Sequence, residues 1–140
     1  MRNGTNALSD GRSLPGFRKK SFVLPYAGGE IWFEHLDGIR EHSALAEEKL
    51  AADTPLFSRP SMPAYIAFML DETRVSEALI RQIARALTAG EKRFLRVAVI
   101  GLQGFRNRQR LRRALDGHGM AVAFFDGIEP AKEWLMAAGR

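Results

Sequence analysis

Short apolar runs alternate with amphipathic stretches along most of the chain. Residues 21–26 and 30–35 have strand patterning and flank Ala27-Gly28-Gly29, the spacing of a β-hairpin. Phe22, Leu24, Ile31 and Phe33 supply one apolar face, and Pro25 implies that its strand lies at a sheet edge or ends there. Asp37-Gly38 marks a turn, and residues 39–52 then predict a helix built from good helix formers. Pro55, Pro60 and Pro63 break it into a loop, residues 53–63, long enough to move or to line a cleft. Residues 64–70 (AYIAFML) predict a buried strand that Asp71-Glu72-Thr73 ends. Val75, Leu79, Ile83 and Leu87 recur every four positions and predict a helix over 75–88, capped by Thr73 or Ser76.

The chain is organised around residues 93–115, RFLRVAVIGLQGFRNRQRLRRAL. Val97, Ala98, Val99 and Ile100 are apolar on both faces, as expected of an inner strand covered on both sides. Gly101 and Gly104 punctuate its end, and Phe105, Leu111, Ala114 and Leu115 then fall at helical spacing. Residues 120–125 (MAVAFF) predict the last strand, and Asp126 to Glu129 reads as a capping box. The final helix carries Ala131, Trp134, Leu135 and Ala138, with Trp134 expected on the sheet. The order β-β-α-β-α-β-α-β-α predicts an α/β fold: a mixed, largely parallel sheet of about five strands with helices packed against it. Such sheets place ligand sites at the carboxyl ends of their strands. Here those ends carry Asp71, Glu72, Thr73, Gly101, Gln103, Gly104, Asp126 and Gly127.

Length narrows the organisation. The chain has 140 residues, the size of one domain with a real core. Residues 1–19 hold Gly, Ser and Asn with little to bury, and predict a flexible arm before a single domain at 20–140. There is no cysteine, so disulfides, thiol catalysis and cysteine metal sites are excluded. The formal charge is +5, and residues 61–140 carry all of it. Lys92 to Leu115 hold eight basic residues and no acidic one. Arg106, Arg110 and Arg113 are spaced i, i+4, i+7 and predict one anion-binding helix face. No apolar run reaches membrane-spanning length, and the first twenty residues lack a secretory core. A cytoplasmic location is the expectation.

The segments GEIWFEHLDG, YIAFMLDET, RFLRVAVIGLQG and AFFDGIEPAKEWLM carry a resemblance. Over about residues 20–137 the chain resembles the STAS domain (sulfate transporter and anti-sigma-factor antagonist), in its bacterial STAS/SEC14-like branch. The resemblance implies regulation or binding and no catalysis; no cofactor is expected. It also implies a protein partner or a small apolar or anionic ligand. In anti-sigma antagonists a serine in an Asp-Ser-Ser-Gly-like turn before a helix is phosphorylated. This chain departs there, reading Glu72-Thr73-Arg74-Val75-Ser76-Glu77 after Asp71. Thr73 and Ser76 occupy the corresponding region without matching the motif.

The remaining candidate chemistry is sparse. His35, His42 and His118 lack a third-ligand spacing, so no metal site is expected. Asp71 and Glu72 are adjacent on an extended segment and point to opposite faces, which does not suit an acid–base pair. Ser76 has no recognisable base, and no G-x-S-x-G elbow occurs. Thr73 and Ser76 remain candidate phosphosites, since a phosphate at a helix N-terminus beside Arg74 is favoured by the dipole. Gly101-Leu-Gln-Gly104 lacks the P-loop lysine and hydroxyl but can present backbone N–H groups to an anion. The candidate binding residues are therefore Asp71, Thr73, Ser76, Gly101 and Gly104. Two readings follow. One is a non-enzymatic STAS-like binding or regulatory domain, which a homodimer would also suit. The other is a basic nucleic-acid or anionic-surface binder using the helix at 105–115.

Overall fold

The structure is a computed structural model and describes residues 20–90 and 94–137. The predicted flexible arm, residues 1–19, lies outside the described residues. Two strands, β1 (Phe22–Tyr26) and β2 (Gly29–His35), form the antiparallel hairpin. Then follow α1 (Ser43–Asp53), a 3-10 helix (Thr54–Ser58), β3 (Tyr65–Met69) and α2 (Glu77–Thr88). The chain continues through β4 (Arg96–Ile100), α3 (Phe105–Leu115), β5 (Ala121–Phe125) and α4 (Ile128–Ala137). The sheet order is β1-β2-β3-β4-β5, with β2 through β5 parallel. The fold is α/β with a five-stranded mixed sheet, as the pattern predicts.

The strand order explains the layering. Each of the three parallel crossovers moves one strand in the same direction. Crossovers of one hand therefore put their helices on one face. There α1, α2 and α3 bury Leu45, Leu50, Leu79, Ile83, Leu111 and Leu115 against Trp32, Ile66, Phe68, Val97 and Val99. The helix after β5, α4, takes the opposite face. It packs Ala131, Leu135 and Met136 on Ile31, Phe33, Ala67, Ala98 and Ile100. β4 is thus covered on both sides, and its apolar run has no solvent face. Trp134 lies on the sheet as expected, its ring 5.7 Å from that of Phe125. The Arg96 guanidinium stands 4.7 Å over the Trp134 ring and donates to the Trp134 carbonyl at 2.6 Å.

Three expectations need correction. Residues 39–42 are not helical; Arg40 forms a parallel bridge with Thr73, and α1 starts only at Ser43. The proline-rich segment is not an open loop. Pro55 sits in the first turn of the 3-10 helix, where a missing N–H costs nothing. From there Phe57 and Met62 are buried, with the Phe57 ring 5.9 Å from that of Phe94. The segment does line a small cavity of about 80 Å³ with Val23, Trp32 and Leu56. Finally, Phe105 and Ala114 do not join the inner face of α3; only Leu111 and Leu115 are buried there.

Candidate functional site

The carboxyl ends of β2 and β3 continue into two loops that are laced together. Gly38 N–H donates to the Asp71 carbonyl at 2.7 Å, and Arg40 N–H to the Glu72 carbonyl at 2.8 Å. Arg74 N–H returns to the Arg40 carbonyl at 2.8 Å. The Thr73 hydroxyl donates to the Leu36 carbonyl at 2.5 Å and accepts from Ile39 N–H at 3.1 Å. This lacing holds two non-glycine residues in the left-handed region, Arg40 at φ 60° and Glu72 at φ 55°. Such positions persist only where surrounding bonds over-determine them. The result is a fixed platform bearing a shallow cleft of about 410 Å³, lined by Arg40, Glu41, Glu72, Thr73, Arg74 and Gln103. All of these side chains except Thr73 are exposed.

The predicted site residues fall in different places. Thr73 lines the cleft, but its hydroxyl is committed to tying the loops. Asp71 packs beneath Gly101, whose φ is 80°; a Cβ there would overlap the Asp71 carboxylate. Gly101 N–H donates to the Phe125 carbonyl at 2.9 Å, so it is engaged within the sheet and not offered to an anion. Gly104 is the N-cap of α3 at φ 90°, with open space around it. Ser76 caps α2 by accepting from Leu79 N–H at 3.0 Å and donates to Glu47 Oε2 at 3.1 Å. A phosphate on Ser76 would meet that carboxylate, a repulsion the sequence did not reveal.

The arginines of α3 divide into two sets. Arg108 and Arg112 turn toward the sheet, their guanidiniums 5.5 and 5.1 Å over the Phe124 ring. Arg108 also donates to the Leu102 carbonyl at 3.0 Å and pairs with Asp126 at 3.5 Å. Arg112 donates to the Val122 carbonyl at 3.3 Å. Arg106, Arg110 and Arg113 share the outer face, as the spacing predicts. With Phe105 and Gln109 they line a second shallow groove of about 320 Å³. Arg110 meets Glu77 Oε2 at 3.4 Å.

One polar cluster escaped the sequence reading. Glu34 is fully buried on the β2 face beneath α1. Its Oε1 accepts from the Trp32 indole N–H at 2.9 Å. Its Oε2 meets no N–H or hydroxyl donor among the described residues, and the Lys49 ammonium stands 3.9 Å away. Burial, then the hydrogen bond with Asp53, pushes the Glu34 carboxyl from 4.5 up to about 9. These directions make Glu34 the protonated member of the pair near neutral pH and Asp53 the ionised one. Burial on its own would raise Asp53. The Glu34 proton, the Lys49 ammonium and the Ser21 hydroxyl outweigh it and hold Asp53 below the usual carboxylate value. Lys49 donates to Ser21 Oγ at 3.0 Å and to Asp53 Oδ2 at 3.3 Å, which closes the network. A sequence signal existed: Glu34 shares a strand face with Trp32, so period two places a carboxylate in the core.

Among the described residues no group of three or more His, Asp or Glu is arranged to hold a metal ion. No described helix is long and apolar enough to cross a membrane. Comparisons with protein-family models, with curated proteins and with solved structures found no match to this chain.

Proposed function

We propose that this is a non-enzymatic binding or regulatory domain of STAS-like layout that engages a protein partner through the strand-end platform. The carrying observation is the strained, laced pair of loops that displays Arg40 and Arg74 side by side. Backbone strain held by five polar contacts is preorganisation, and preorganisation reduces the entropy lost on binding. The strand order runs without reversal, so the sheet has no switch-point crevice of the kind that holds cofactors. Small-molecule sites enclose most of their ligand's surface. The platform is instead open and lined by two arginines, two glutamates and a glutamine, which suits a protein surface. The cavity beside Trp32, about 80 Å³, is too small for a lipid chain. The hydroxyls of Thr73 and Ser76 are both committed to structural bonds, which also favours binding over nucleophilic chemistry.

The test is affinity capture from the cells that express the protein, using wild type and an Arg40→Ala/Arg74→Ala variant. Wild type should retain a partner that the variant loses, and the purified pair should bind at a defined stoichiometry. A parallel thermal-shift screen uses phosphate, nucleotides, lipids and short DNA and RNA at low and high salt. A shift with a small ligand that survives salt, with no differential partner, would overturn the reading.

A further inference from the structure

We infer that the outward face of α3 is a docking surface for an acidic segment of a protein partner. The inference rests on the reading of the protein as a protein-binding domain, and not on the strand-end platform. Arg106, Arg110 and Arg113 form a line of roughly 10 Å along the helix. Among the described residues Arg106 and Arg113 have no partner, while Arg110 already takes the Glu77 carboxylate from one side. Like charges at i, i+4 destabilise an isolated helix, and α3 has no acidic residue in its first turn to offset them. Phe105 opens the line and is 74% exposed. A large aromatic beside three guanidiniums is the composition of an interface anchor. The other two arginines that belong to α3's sheet-facing side are engaged, so the outward set is a distinct surface.

Charge complementarity decides the occupant. Guanidiniums pair with carboxylates in planar, two-pronged geometry. A helical segment with carboxylates at i, i+4 and i+7 repeats the spacing of the three arginines, and an apolar side chain ahead of them meets Phe105. A nucleic acid fits less well. Glu77 borders the line, and Glu41 and Glu72 line the neighbouring cleft that Gln103 joins to α3. That cleft sets Arg40 and Arg74 against these two carboxylates, so an extended phosphate backbone would find no continuous basic track beyond α3. Phe105 also gives only one stacking platform for bases.

The experiment measures anisotropy of a labelled synthetic helical peptide bearing glutamates at i, i+4 and i+7 and a leucine one turn before them. Comparison probes are the same residues with glutamates dispersed around the helix, a single-stranded oligothymidine, and phosphatidylcholine vesicles containing phosphatidylglycerol. The spaced peptide should bind best. Arg106→Glu with Arg113→Glu should weaken it by about tenfold or more, and Phe105→Ala by about threefold or more. Arg40→Ala with Arg74→Ala should leave it unchanged, and melting curves establish that each variant is folded. Absent binding, equal binding of the dispersed peptide, or tighter binding of oligothymidine or vesicles through the same arginines would overturn the inference. In cellular capture, a partner lost on changing Arg40 and Arg74 but kept on reversing α3 would leave the platform reading standing and remove this one. The opposite pattern would remove the platform and keep α3.

Discussion

At the scale of single residues, Glu34 sets the protein's expected response to pH. Its folded-state pKa of about 9 lies above the ordinary 4.5. Between these values the folded chain holds a proton that the unfolded chain has released, so stability falls as pH rises through that window. The slope cannot exceed about 1.4 kcal/mol per pH unit for one group. Asp53 acts in a different window: its lowered pKa adds stability above its ordinary 3.8, lost as pH falls into the acid range. Glu34→Gln keeps an acceptor for the Trp32 indole and a donor for Asp53, and it cannot ionise. Urea denaturation should show the variant near wild type at pH 4.5 and more stable at pH 8, by as much as about 5 kcal/mol. A wild-type midpoint that is flat or rising from pH 5 to 8 would refute the shared proton. Alternation in the sequence was enough to put residue 34 on the Trp32 face. It could not supply Asp53 and Lys49, because the register of α1 on the sheet decides which of its polar residues reach the strand.

At the scale of elements, most of the chain was legible because pattern and packing agree. The strand cores and the α2 stripe follow from periodicity alone, and Pro25 does lie on the edge strand, paired with Glu30. The misplaced boundaries have one cause: backbone groups found tertiary partners that local propensity cannot foresee. Residues 39–42 gave up helix for the bridge to Thr73. Residues 54–58 became helical because Phe57 had a core to enter. In α3 the spacing correctly grouped Arg106, Arg110 and Arg113, but it gave no hint that Arg108 and Arg112 support the sheet. That division predicts unequal effects on stability. Arg108→Ala and Arg112→Ala each remove a stacking contact with Phe124 and a bond to a backbone carbonyl. Each should cost about 1 kcal/mol in chemical denaturation. Arg106→Ala and Arg113→Ala should stay within about 0.5 kcal/mol of wild type. Equal losses across all four would mean the outward set is also structural.

At the scale of the whole molecule, the unreversed strand order makes the two layers unequal. Among the described residues three crossover helices share one face, and α4 alone covers the other. The attachment of α4 depends on few groups: Ala131, Leu135 and Met136 in the core, with Trp134 held by Arg96 and Phe125. Gly29 allows the close approach, since a Cβ there would come within 2.9 Å of the Met136 sulfur. Elements with few buried contacts open below the free energy of global unfolding. α4 should therefore detach as a unit while α1, α2 and α3 remain on the sheet. Leu135 is fully buried, so Leu135→Ala should weaken that attachment by about 3 kcal/mol through lost contacts and the cavity left behind. In native-state hydrogen exchange the α4 amides of the variant should exchange faster by about a hundredfold, the equivalent of that loss. Amides in β3 and α2 should change only as far as global stability falls. If α4, β3 and α2 accelerate together under conditions where α4 exchanges by sub-global opening in wild type, the two layers form one cooperative unit, and the inequality of the sheet faces has no dynamic consequence.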